Sequence, residues 1–144
     1  MMKIKLFALA LLAVTALSFA ACAQDKPGEV AWDVPDGNFT EMPHPDGDEV
    51  YVPAGHVFKL SLVSNPTTGF SWSETAQVSD AAVLKQVSHE YIAPEGGMAG
   101  ASGKEVWVFD TLEKGTATVY LEYGRPWEGG EKAEWTYKVT VNVE

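Results

Sequence analysis

The sequence predicts an all-β fold, a single antiparallel β-sandwich, on three observations. Beyond residue 48 the chain divides into short segments in which apolar and polar residues alternate. Turn-forming Gly, Pro and Asn punctuate those segments about every eight to twelve residues. No stretch past the first two dozen residues carries an apolar period of 3.6, so no helix is expected in the domain.

The chain of 144 residues opens with a leader over 1–21. Lys3 and Lys5 make a basic start, Leu6 to Ala21 is almost wholly apolar yet too short for a typical membrane span, and small residues close it. This pattern is a signal peptide, and it places the product outside the cytoplasm: periplasmic, an outer-membrane lipoprotein, or secreted. The sole cysteine, Cys22, follows Phe19-Ala20-Ala21. Two processing routes fit. A lipobox-like reading makes Cys22 the lipidated first residue, whereas cleavage after Ala21-Cys22-Ala23 removes it. Either way no disulfide staples the domain, and its stability rests on packing. The membrane enters only through a lipid on Cys22.

Removing the leader takes Lys3 and Lys5 and no acidic residue, so the net charge of −10 becomes −12. Such a surface repels nucleic acid, which is not an expected partner. About 120 residues remain, enough for one hydrophobic core. Residues 22–48 are rich in Pro, Gly and Asp and read as an arm or tether. Asp46-Gly47-Asp48-Glu49 lacks the ligand spacing of a calcium loop. The folded domain is expected over 49–144.

Within it, His56 to Val63 alternates, with Phe58, Leu60 and Leu62 on one face. Phe70 to Val78 and Val83 to Ile92 are the next strands, followed by Glu105 to Thr111 with its apolar run Val106-Trp107-Val108-Phe109. Thr116 to Tyr123 aims Ala117, Val119, Leu121 and Tyr123 one way. Trp135 to Val143 is the clearest, with Trp135, Tyr137, Val139, Val141 and Val143 on one face. Six or seven such strands suit an immunoglobulin-like sandwich, with Trp72, Trp107, Trp135 and Tyr137 as candidates to fill its centre.

The side-chain inventory argues against an enzyme. One cysteine at the edge of the leader supplies no Cys/His pair, and His44, His56 and His89 lack zinc-ligand spacing. No glycine-rich phosphate loop joins a strand to a helix. Neither a metal nor a cofactor is expected.

Three connections stand out instead. In Asn65-Pro66-Thr67-Thr68-Gly69-Phe70, Pro66 fixes one backbone angle and Gly69 allows a positive φ, so the loop is stiff and carries two hydroxyls at its tip. The segment from Pro94 to Gly103 has almost no side-chain bulk, and another molecule can approach its backbone closely. Arg125-Pro126-Trp127 sets arginine and tryptophan, residue types that dominate interfaces, on either side of a stiffening proline.

These segments, as NPTTGFSW at Asn65 to Trp72, GMAGASGKEVWVF at Gly97 to Phe109 and YGRPWE at Tyr123 to Glu128, resemble the chagasin family of cysteine peptidase inhibitors. The likeness spans roughly Val50 to Val143, and in the middle loop it is confined to a Gly-x-x-Gly pattern. It implies an immunoglobulin-like sandwich with three loops gathered at one end, and reversible occlusion of a papain-like cysteine peptidase, the organism's own or a host's. It implies that Asn65, Pro66, Thr67, Thr68, Gly69 and Phe70 enter the active-site cleft. Gly97, Met98, Ala99, Gly100, Ala101, Ser102 and Gly103 would grip one wall, and Arg125, Pro126 and Trp127 the other. A plug of this kind needs no second subunit, so a monomer is expected. The competing readings are an extracytoplasmic adhesion or ligand-binding module and, behind it, a small hydrolase or metal-dependent enzyme.

Overall fold

The structure, a computed structural model, describes residues 28–34 and 47–144. The leader, Cys22, residues 35–46 and the acidic Asp46 lie outside the described residues.

Among the described residues nine strands form two sheets. The first is four-stranded, in the order β1 (Glu29–Asp33), β3 (Val57–Ser64), β7 (Gly103–Thr111) and β6 (Leu84–Ile92). The second is five-stranded: β2 (Asp48–Val52), β9 (Trp135–Val143), β8 (Gly115–Gly124) and β4 (Ser71–Trp72), with β5 (Gln77–Val78) also on β8. Alternation decides which side chains go inside. In β9 Tyr137, Val139, Val141 and Val143 are buried, and they meet Ala117, Val119, Leu121 and Tyr123 of β8. From the other sheet Phe58, Leu60, Leu62, Trp107 and Phe109 close the core. Trp72, Trp107 and Tyr137 are buried as expected, and Trp135 is partly so. Each such aromatic withdraws roughly 150–250 Å² from water. The result is the all-β immunoglobulin-like sandwich that the pattern predicted.

Three details depart from the sequence reading. Residues 29–33, inside the segment read as an arm, form β1 and pair in parallel with β3 from Glu29↔Val57 to Asp33↔Ser61. Trp32 turns inward and donates its indole N–H to the Tyr137 hydroxyl (3.2 Å), which donates to Asp48 Oδ2 (3.0 Å). Residues 48–52 likewise add β2 in parallel to the edge of β9. Finally, Phe70 to Val78 is two short strands. Between them, the Gln86 side chain accepts from Ala76 N and donates to Glu74 O, both at 2.8 Å, in place of a ladder.

Strand register positions the loops. Ser64, the last residue of β3, pairs with Gly103, the first of β7, so the chain before Gly103 lies beside Asn65. Ser71 of β4 pairs with Gly124, the last residue of β8, so Arg125 lies beside Phe70. Three connections therefore converge on one end of the sandwich.

Candidate functional site

The first loop, 65–70, is a single turn of 3₁₀ helix over Pro66–Thr68 ended by Gly69 at φ 81°. Its two threonine hydroxyls, which a plain turn would not require, hold the turn itself. Thr67 Oγ1 donates to Asn65 Oδ1 (2.6 Å) and Thr68 Oγ1 to the Asn65 carbonyl (2.7 Å), while Gly69 N donates to Pro66 O (2.9 Å). Pro66, Thr67 and Thr68 are exposed, so a rigid tip projects into solvent. From below, the Tyr123 hydroxyl accepts from Asn65 N (3.2 Å). Burial pushes the Tyr123 pKa up, which keeps that hydroxyl neutral.

The second loop is ordered by Gly96, Gly97 and Gly100, all at positive φ, and by Ala101 N donating to Met98 O (3.2 Å). Met98 stands 75 % exposed at its tip. Ser102 ends the loop and Gly103 already belongs to β7, where an added Cβ would strike Ile92 O and the Tyr91 side chain. This loop is tied to the first, because Asn65 Nδ2 donates to Gly100 O at 3.2 Å.

In the third loop Arg125 organises its surroundings. Its guanidinium lies 4.4 Å from the Phe70 ring centroid and 5.8 Å from that of Trp127. Nη2 reaches Thr68 O (3.4 Å), Nη1 pairs with Glu131 Oε2 (3.0 Å), and the buried Nε has no hydrogen-bond partner. Lys132 Nζ donates to the carbonyls of Arg125 (2.6 Å) and Trp127 (2.8 Å), which closes the turn. Trp127 remains 51 % exposed and rests an edge against Gly69. It is not folded into the core. Beneath this end Phe70, Tyr123 and Trp135 stack at 5.6 and 5.1 Å and line an apolar recess of about 270 Å³ with Asn65 and Thr68.

All sixteen loop residues singled out from the sequence thus lie at one end, tied by hydrogen bonds and ring contacts that run from Gly100 through Asn65 and Thr68 to Arg125. Among the described residues no group of three His, Cys, Asp or Glu is placed to hold a metal. The "Chagasin family peptidase inhibitor I42" family matches residues 51–141, which include all three loops. The chain belongs to the chagasin family of peptidase inhibitors.

Chagasin of Trypanosoma cruzi is 34% identical over 86 residues, covering 58% of this chain and 78% of chagasin. Amoebiasin-2 of Entamoeba histolytica is 29% identical over 98 residues, 67% of this chain and 79% of its own. The fold matches the crystal structure of the cysteine protease inhibitor EhICP2 from Entamoeba histolytica with a TM-score of 0.60 at 18% identity, over 81% of this chain and 96% of that one. It also matches PbICP-C in its complex with falcipain-2, with a TM-score of 0.58 at 13% identity over 81% and 99% of the two chains.

Sequence reasoning missed the residues that hold the loops from behind: Tyr123 beneath the first turn, and Glu131 and Lys132 around Arg125. It also missed Glu105. Strand period alone puts Glu105 on the inward face with Trp107 and Phe109, and that was the available signal.

Proposed function

We propose that this chagasin-family chain is a reversible, tight-binding inhibitor of papain-like cysteine peptidases, and that it works by occlusion without chemistry of its own. The observation that carries the reading is the set of ties among the three loops, Asn65 to Gly100 and Arg125 to Thr68 and Phe70. They fix one rigid wedge of three parts. Thr67 and Thr68 enter the cleft of the peptidase, the loop about Met98 meets one wall, and Arg125 and Trp127 meet the other. A loop held by its own hydrogen bonds loses little entropy on binding and need not offer a peptide bond in line for the thiolate. Three loops suffice to bury a standard interface of roughly 1,600 Å².

The leader supports export, and the fold suits an anchor at its amino end. Gly28 O accepts from Val57 N at the start of β1, and β1 runs parallel to β3 toward the first loop. The wedge therefore lies at the far end from Gly28, and a lipid on Cys22 would leave it facing away from the membrane. The inhibitor acts as a monomer, against a peptidase of its own organism or of a host.

Titration of the leader-free protein against papain and a cathepsin L-type enzyme, with a fluorogenic substrate and a mass check of the inhibitor, tests this. Stoichiometric, reversible loss of activity at nanomolar concentration with the chain intact is expected. A folded sample that leaves both enzymes active at micromolar concentration, or that is cut as it binds, refutes occlusion.

A further inference from the structure

The two stems of the first loop belong to different sheets, since Ser64 ends β3 and Trp72 ends β4. One side chain holds both. Glu105 of β7 is only 3% exposed, and its Oε1 accepts from Ser64 Oγ (2.6 Å) and from Trp72 N (2.9 Å). Its Oε2 faces His89 Nε2 of β6 at 2.7 Å, and the His89 ring lies 5.0 Å from that of Trp107. Ser64, Glu105 and His89 superficially suggest a hydrolytic triad. They are not one, because Ser64 is fully buried and bonds the carboxylate, while His89 bonds the other oxygen of the same group.

A carboxylate withdrawn from water is costly unless it is fully partnered, and an apolar residue beside Trp107 and Phe109 would avoid that cost. The partners it has are the two stems of the first loop and the strand that leads into the second. We propose that Glu105 is a positioning residue for inhibition: it sets the separation of the first loop's stems across the two sheets and, through His89, ties β6 and the loop beyond it to the same point. The proposal rests on the inhibitory reading of that loop. Glu105 touches no target; it acts through Ser64, Trp72 and His89.

The test compares Glu105→Leu, Glu105→Gln and a remote core variant, Val141→Ala, by thermal unfolding, by amide hydrogen exchange of the free protein at Thr68, Gly69 and Trp72, and by Ki for papain. Glu105→Leu should speed exchange at all three amides and raise Ki about tenfold relative to Val141→Ala, compared on the basis of Tm loss, because ordering the loop then falls to the binding step. Glu105→Gln keeps an acceptor oxygen for Ser64 and Trp72 and should stay within about threefold of the parent in Ki, with slow loop exchange. Parent-like exchange and Ki in folded Glu105→Leu overturn the proposal, and so does a Gln variant as impaired as the Leu one. Where Glu105→Leu does not fold, Ser64→Ala removes one stem tie alone; a rise of about threefold in Ki with faster exchange at Thr68 supports the clamp, and no change in either refutes it. Exchange is read without a target, so a parent protein that fails to inhibit papain would sink the functional reading and leave the clamp to be judged by exchange alone.

Discussion

Gly69→Ala separates the geometry of the wedge from the stability of the fold. Gly69 sits at φ 81° and Gly55, at the opposite end of the sandwich, at φ 78°. Alanine in the left-handed region costs about 1–2 kcal/mol at either position. In a domain of this size each kcal/mol lowers Tm by about 4–8 °C. The surroundings differ. A Cβ on Gly55 meets nothing within 4 Å, whereas one on Gly69 would stand 2.6 Å from Cη2 and 3.3 Å from Cζ3 of Trp127. Trp127 is half exposed, so its ring swings away more readily than the backbone yields. That displaces the ring proposed to meet the peptidase wall, and a hot spot of this kind is worth about 2 kcal/mol, or about thirtyfold in Ki. Both variants are compared by thermal melts and by papain titration. The expected result is a similar Tm loss in the two, an unchanged Ki for Gly55→Ala and a Ki about thirtyfold higher for Gly69→Ala. Equal Ki values for the pair would show that Trp127 and the first loop do not act as one surface.

Trp127→Ala removes a half-exposed ring and should leave Tm within about 2 °C while weakening inhibition at least tenfold, as read by melts and inhibitor titration. Arg125→Lys keeps the charge but loses the planar stack on Phe70 and the fork that reaches Thr68 O and Glu131. Surface plasmon resonance should therefore find dissociation about tenfold faster, and parent-like dissociation would mean that charge alone suffices. Burial raises the pKa of Tyr137, with the nearby Asp48 adding to the effect, and burial also raises that of Tyr123. Because the folded values lie above the unfolded value near 10, both groups contribute full stability below about pH 10 and lose it above, by up to about 1.4 kcal/mol per pH unit for each tyrosine. Tyrosinate absorbance and circular dichroism followed from pH 9 to 12 should rise and fall together for these two residues, and ionisation without unfolding would refute their burial.

The parts legible in the sequence are those whose signal is local. Trp135 to Val143 alternates over nine residues and forms β9 with the same ends, because one face of that strand is core and the other is not. The first loop was legible as a stiff turn because Asn, Pro and Gly each carry a backbone preference of their own. What stayed hidden depends on partners distant in sequence. β1 has five residues in a stretch rich in Pro, Gly and Asp, and it is a strand because β3 offers it an edge and Tyr137 offers Trp32 a hydrogen-bond partner 105 positions away. Phe70 to Val78 reads as one strand, but the Gln86 side chain takes over the backbone groups in its middle. Nothing near Glu105 in sequence signals that its carboxylate spans two sheets.

The three loops are tied at their tips to one another and at their stems to the strands that carry them, and this links inhibition to the core in a graded way. The tips, Thr67, Met98 and Trp127, are exposed, so changes there alter what the wedge touches and little else. The stems are different. Ser64↔Gly103 and Ser71↔Gly124 are ladder pairs, and β4, only two residues long, is held on its other side by the Glu105 carboxylate and by Trp72 Nε1 donating to Val63 O at 2.9 Å. A perturbation of the stems therefore moves the first loop relative to the other two before it unfolds the sandwich, since β8 and β9 pair over nine residues and stand without it. Affinity for a rigid cleft depends on all three contacts being made at once, so it should fall earlier than stability along a series of stem substitutions and together with it along a series in β8 and β9.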